Sequence, residues 1–183
     1  MKFEDAFFYK NLLMLGYESN YDEWLDSYLE SEDPLSDIVL DLSCCSSDVG
    51  KTISLLHNYC ADQPLDEFAV CNRLRLFFKE LYYSNRMSKE KITLELYRLA
   101  LVIRDCENFD KDDIYDCQLW ESMYYLDDFY SLAEEGIISW ESFDFAFFSY
   151  LDNGTPLDSK LIWSKNPQKK PSLLDRIKSR FKH

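Results

Sequence analysis

The chain has 183 residues, a net charge of −14 and a hydrophobic share of 46%. A length of this order suits one domain that buries about 70% of its unfolded surface, and thirty aromatic residues exclude a chain that stays unfolded. The acid excess argues against direct contact with nucleic acid or an anionic bilayer and for a basic protein partner, with solubility alone as the competing use of the charge.

The first element is an apolar opening over residues 4–15 that ends at Gly16. Acids interrupt it and no small-residue cleavage site follows, so it reads as part of the fold rather than a secretory signal, which implies a cytoplasmic protein. Asn20, with Glu23 three residues on, offers a helix start before Trp24, Leu25 and Tyr28. Asp33-Pro34 reads as a cap followed by proline at the first position of a short helix through Leu42. Ser46 or Ser47 opens the next helix, whose apolar stripe runs Val49, Ile53, Leu56, Cys60. Pro64 opens a long helix to about Ser84, with Val70, Leu74, Phe77 and Leu81 on one face. Ser88 caps another, carrying Ile92, Leu96, Leu99 and Ile103. Two more follow, one facing inward with Leu119, Met123, Leu126 and Tyr130, the other with Trp140, Phe143, Phe147 and Tyr150.

Twenty-six leucines against sixteen Val, Ile and Thr together, with only four glycines and five prolines, favour helix over sheet. Asn85-Arg-Met-Ser88 and Gly136-Ile-Ile-Ser139 share one design, and Gly16-Tyr-Glu-Ser19 is a looser copy. A residue tolerant of left-handed backbone ends one helix, a hydrophobe folds back on it, and a serine starts the next. Short connections of this kind join antiparallel helices. The expected fold is all-α, an irregular stack of antiparallel helical hairpins with about seven to nine helices.

Charge divides the chain. Residues 1–163 hold thirteen bases against thirty-three acids, and residues 164–183 hold seven bases and one acid. The expected organisation is an acidic helical domain over 1–154 and a basic unit over 155–183. That unit reads as a linker and then a short amphipathic helix opened by Ser172-Leu-Leu-Asp175, suited to docking on the acidic body. No apolar run approaches the ~20 residues of a membrane span. The six cysteines form no CxxC pair and read as free thiols in a reducing compartment.

The residues of known chemistries are not assembled. His57 sits at the edge of an apolar stripe and His183 is the last residue, which leaves one imidazole and poor support for Ser–His–Asp or Cys–His catalysis. Gly50-Lys51-Thr52 has Cys45 where a phosphate loop needs glycine, in a helical context. Asp110, Asp112 and Glu121 match three positions of a calcium loop, but Tyr115 takes the place of the required glycine. Adjacent acids such as Asp127-Asp128 point in different directions on a helix and build no metal site. No catalytic, cofactor or metal-binding residue is expected.

The stretch Asp105–Asp152 concentrates fourteen acids, thirteen aromatics and a single base, Lys111. Helical phase places Glu121, Tyr125 and Asp128 opposite the inward stripe, with Tyr124 and Asp127 on a flank. On the following helix the outer side shows Glu141, Phe145, Phe148 and Asp152. Aromatic anchors within an acidic rim suit a protein interface, whereas a central helix packed on both sides would bury the two phenylalanines. These nine residues are the expected partner-binding set.

A small, acidic, all-helical chain with the helix–Gly136-Ile-Ile-Ser139–helix hairpin and no catalytic constellation resembles the helical immunity proteins encoded beside bacterial polymorphic or contact-dependent toxins. The likeness spans residues 1–154. It implies a non-enzymatic, stoichiometric inhibitor that covers the active site of a basic toxin domain, often a nuclease. The competing readings are a helical adaptor tethered by its basic tail and, behind it, a metal-dependent hydrolase.

Overall fold

The computed structural model describes residues 1–18, 20–45, 48–61, 63–106, 108–109 and 117–155. Among them the chain is all-α: eight helices and no strand. In order these are α1 (Phe3–Met14), α2 (Tyr21–Ser31), α3 (Asp37–Ser43), α4 (Val49–Cys60), α5 (Glu67–Tyr83), α6 (Lys89–Arg104), α7 (Gln118–Glu134) and α8 (Trp140–Asn153). No helix among the described residues is long and apolar enough to cross a membrane. The basic unit expected over 155–183 lies outside the described residues except for Thr155.

The three look-alike turns close in one way. Gly16, Asn85 and Gly136 adopt left-handed backbone, with φ of 80°, 55° and 69°. The N–H of the following residue reaches back five positions in each: Tyr17 to Leu12, Arg86 to Leu81 and Ile137 to Leu132, all at 2.9 Å. Carbonyls left open at each helix end are thereby satisfied. Ser88 and Ser139 then cap α6 and α8, accepting from the N–H groups of Lys91 and Ser142. Ile138 is buried and Met87 half-buried, which anchors these turns to the helices they join.

Three expected helix starts shift, and a fourth keeps its place but loses its cap. Asn20 stands at the N-cap of α2 in left-handed backbone (φ 67°) and makes no side-chain cap. The short third helix begins at Asp37, not Pro34, because the Glu32 carboxylate accepts from both the N–H and the hydroxyl of Ser36 and holds the preceding residues as a turn. Asp48 caps α4 through the Lys51 N–H, while Ser46 and Ser47 lie outside the described residues. Asp66 caps α5 through the Ala69 N–H, so the helix begins at Glu67, three residues past Pro64. An ionised carboxylate at the N-cap also meets the positive end of the helix dipole, which a proline does not.

The most extensive packing joins the consecutive helices α6 and α7, and then α1 to α4. Phe3 lies 5.0 Å from the Tyr59 ring and the Tyr59 hydroxyl donates to the Met1 carbonyl at 2.7 Å, while Leu13 lines one cavity with Val49 and Thr52 at the other end. α1 and α4 are therefore antiparallel. On α6–α7 the Trp120 indole donates to the Ala100 carbonyl at 2.9 Å, and Tyr97 and Tyr124 are ring neighbours at 5.3 Å. α5 is the hub, touching α1, α6, α7 and α8. Its buried Arg75 donates to the Leu151 carbonyl at 2.7 Å and through Nε and Nη2 to Asn72, which fastens the last turn of α8 to α5.

The core takes the expected stripes with few exceptions. Ile92, Leu96, Leu99 and Ile103 of α6 are buried, as are Leu119, Met123 and Leu126 of α7 and Phe143, Phe147 and Tyr150 of α8. Trp140 is a correction: it is 47% exposed, lying edge-on to Tyr130 and Phe143 in the first turn of α8. Val49, in the first turn of α4, is exposed as well. Stripe positions at a helix end project past the neighbour that covers the middle. All six cysteines are free thiols.

Candidate partner-binding surface

The nine residues expected to meet a partner fall on two helices, and their neighbours differ. Glu121, Tyr124, Tyr125, Asp127 and Asp128 belong to α7. Glu121 and Tyr130 are nine residues apart, half a turn out of phase, and Tyr130 carries the ring contacts to Trp140 and Phe143 of α8. The Glu121 side of α7 therefore looks away from α8.

On that outer side the tyrosines form a connected cluster. Tyr124 stacks on Trp120 (5.5 Å), tilts against Tyr97 of α6 (5.3 Å) and meets Tyr125 edge-on (5.1 Å). Trp120 is buried, Tyr97 and Tyr124 are half-buried, and Tyr125 is 43% exposed. Such stacking fixes the rings and leaves the phenol end of a tyrosine wet. Glu121 and Asp128 are exposed and Asp127 half-buried, and no base among the described residues lies within ion-pairing distance of any of the three. Partial burial, and then the neighbouring Asp128 charge, raise the Asp127 carboxyl above its ordinary value. A carboxylate raised in this way gains from an incoming cation.

The α8 residues are placed otherwise. Phe148 is half-buried, edge-on to Tyr82 of α5 (5.6 Å) and to Phe147 (5.4 Å), with the Lys89 ammonium 4.8 Å over its ring. Asp152 accepts from the Tyr83 hydroxyl at 2.9 Å on each oxygen and pairs with Lys79 at 3.2 Å. Phe145 is 50% exposed. Glu141 lies in the first turn of α8, exposed, its carboxyl lowered by its own backbone N–H and by the Ser139 hydroxyl. Tyr124 and Asp127 meet α6 through Tyr97 and Thr93, Asp152 meets α5, and Phe148 meets both Tyr82 of α5 and Lys89 at the start of α6.

Sequence reasoning passed over Tyr97 and Trp120, which complete the α7 cluster, and Lys79 and Lys89, which neutralise acids of α8. Tyr97 follows the stripe residue Leu96, so its phase places it on the flank, where a tyrosine suits a half-wet position. The lysines gave no signal, since their partners lie 73 and 55 residues away. No family model matches the chain, and no curated protein or solved structure matches it.

Proposed function

We propose that this protein is a non-enzymatic inhibitor that binds and neutralises a basic toxin domain, with the α7 surface as its principal contact. The observation that carries the reading is the group of Glu121, Asp127 and Asp128, unpaired with any base among the described residues, around the ring cluster of Tyr97, Tyr124 and Tyr125. Lysines or arginines of a partner would find carboxylates not engaged by a base among the described residues, beside tyrosine faces that attract cations. The acidity of the whole chain steers a basic partner inward and makes association fall with salt. A toxin whose own substrate is a polyanion, such as a nuclease, fits best, because the carboxylates would stand where phosphates bind. Direct nucleic-acid binding by this chain is not part of the reading.

Co-expression with the product of the neighbouring gene tests it. The chain should relieve that product's toxicity and co-purify with it at low salt, less so at high salt. The triple change Glu121→Gln, Asp127→Asn, Asp128→Asn should weaken the complex about tenfold or more, the scale of losing one or two charge-assisted contacts. Absence of both association and protection would sink the proposal.

A further inference from the structure

The outer side of α8 and the turn between α5 and α6 form a second aromatic surface whose charges, the exposed Glu141 in the first turn of α8 apart, are already matched. Lys79 and Lys89 come from α5 and α6, Asp144 and Asp152 from α8, and they pair as Lys79–Asp152 (3.2 Å) and Lys89–Asp144 (2.6 Å). Beside these pairs stand two rings with much of their area in water, Tyr83 at 55% and Phe145 at 50% exposed. Tyr83 also walls an open groove of about 540 Å³ along the α5–α6 turn, together with Tyr82 and Met87.

We propose that this surface pairs with its equal on a second copy of the chain, as a two-fold dimer. A chain of net charge −14 repels its own copy over most of its surface. Two copies can meet closely only where the charge cancels, and here two bases and two acids do cancel. A two-fold interface must be complementary to itself, which a patch carrying both signs around exposed rings satisfies and a purely acidic one does not. A basic partner is the weaker candidate for this surface, because it would have to displace Lys79 and Lys89 from acids they already hold. The dimer leaves the α7 surface free, so it stands or falls separately from the inhibitor reading.

Sedimentation velocity of the full chain over a wide concentration range tests the proposal, with circular dichroism to confirm that each variant is folded. Wild type should show a concentration-dependent dimer. Phe145→Asp and Tyr83→Asp, both at exposed positions, should each raise the dimer dissociation constant about tenfold or more, as expected for a central interface ring. Tyr125→Asp on α7 should leave it unchanged. A monomer at every concentration overturns the proposal. If hydroxyl-radical footprinting of such a monomer finds Tyr83 and Phe145 protected, residues 156–183 cover the surface in cis instead of a second copy. A dimer that survives both α8-side variants and is lost with Tyr125→Asp overturns it too.

Discussion

The helices α7 and α8 follow one another through a five-residue connection and carry nearly the same outer vocabulary, carboxylates set among aromatic rings. They differ in what the rest of the chain brings to them. The outer side of α7 receives tyrosine and tryptophan from its own seam with α6 and, among the described residues, no base, so Glu121, Asp127 and Asp128 form no ion pair there. The outer side of α8 receives Lys79, Tyr83 and Lys89 from segments more than fifty residues earlier, so its Asp144 and Asp152 are already engaged. The difference teaches that an acidic residue becomes a binding group only after the tertiary fold has declined to pair it.

The sharpest way to break the comparison is to ask which rings of α8 belong to the core. Phe147→Ala should cost about 3–5 kcal/mol, because a fully buried ring leaves a cavity, whereas Phe145→Ala should stay within about 0.5–1 kcal/mol. Urea denaturation midpoints read both, and equal losses would mean that the α8 surface is interior. The next test separates engaged acids from unengaged ones. Lys89→Ala removes an ion pair and a cation over Phe148, both partly exposed, and should cost about 0.5–1 kcal/mol. Glu121→Gln and Asp128→Asn should fall within about 0.5 kcal/mol of wild type, since neither forms an ion pair among the described residues.

The smallest effect concerns pH. Asp127 holds its proton more tightly when folded than when unfolded, so its contribution favours the fold in acid. That contribution is lost as pH rises through its raised folded value. Asp127→Asn should therefore match wild type in acid, below the ordinary carboxylate range, and be slightly more stable at neutral pH. Thermal melts across that interval measure it, and a variant less stable at neutral pH would show that Asp127 is satisfied in the fold after all.

Most of the architecture was legible because its causes are local. The α6 stripe from Ile92 to Ile103, the left-handed Gly136 and the Ser139 cap follow from spacing and backbone preference within one or two turns. The outer stripe of α8, Glu141, Phe145, Phe148 and Asp152, was also readable from phase alone. What escaped was set by competition or by distance. Pro34 and Pro64 are sound first-turn residues, yet the bonds of Ser36 to Glu32 and of Asp66 to the Ala69 N–H place the starts further on. Trp140 has the phase of a core residue but, in the first turn of α8, meets Tyr130 edge-on and leaves 47% of its surface exposed. Lys79, Lys89 and Arg75 could not be assigned, because nothing near them in sequence names an aspartate or a carbonyl more than fifty residues away.

Arg75 has a consequence for the order in which the molecule assembles. Its guanidinium closes on the Leu151 carbonyl, 76 residues downstream, and its Nε stands 3.3 Å from where a Cβ at Gly154 would be. During synthesis α5 emerges long before α8, so this cation stays solvated until the last described helix arrives. Docking of α8 is then both the closing of the hub and the burial of its charge, one late event that makes the two ends of the chain's interior report on each other.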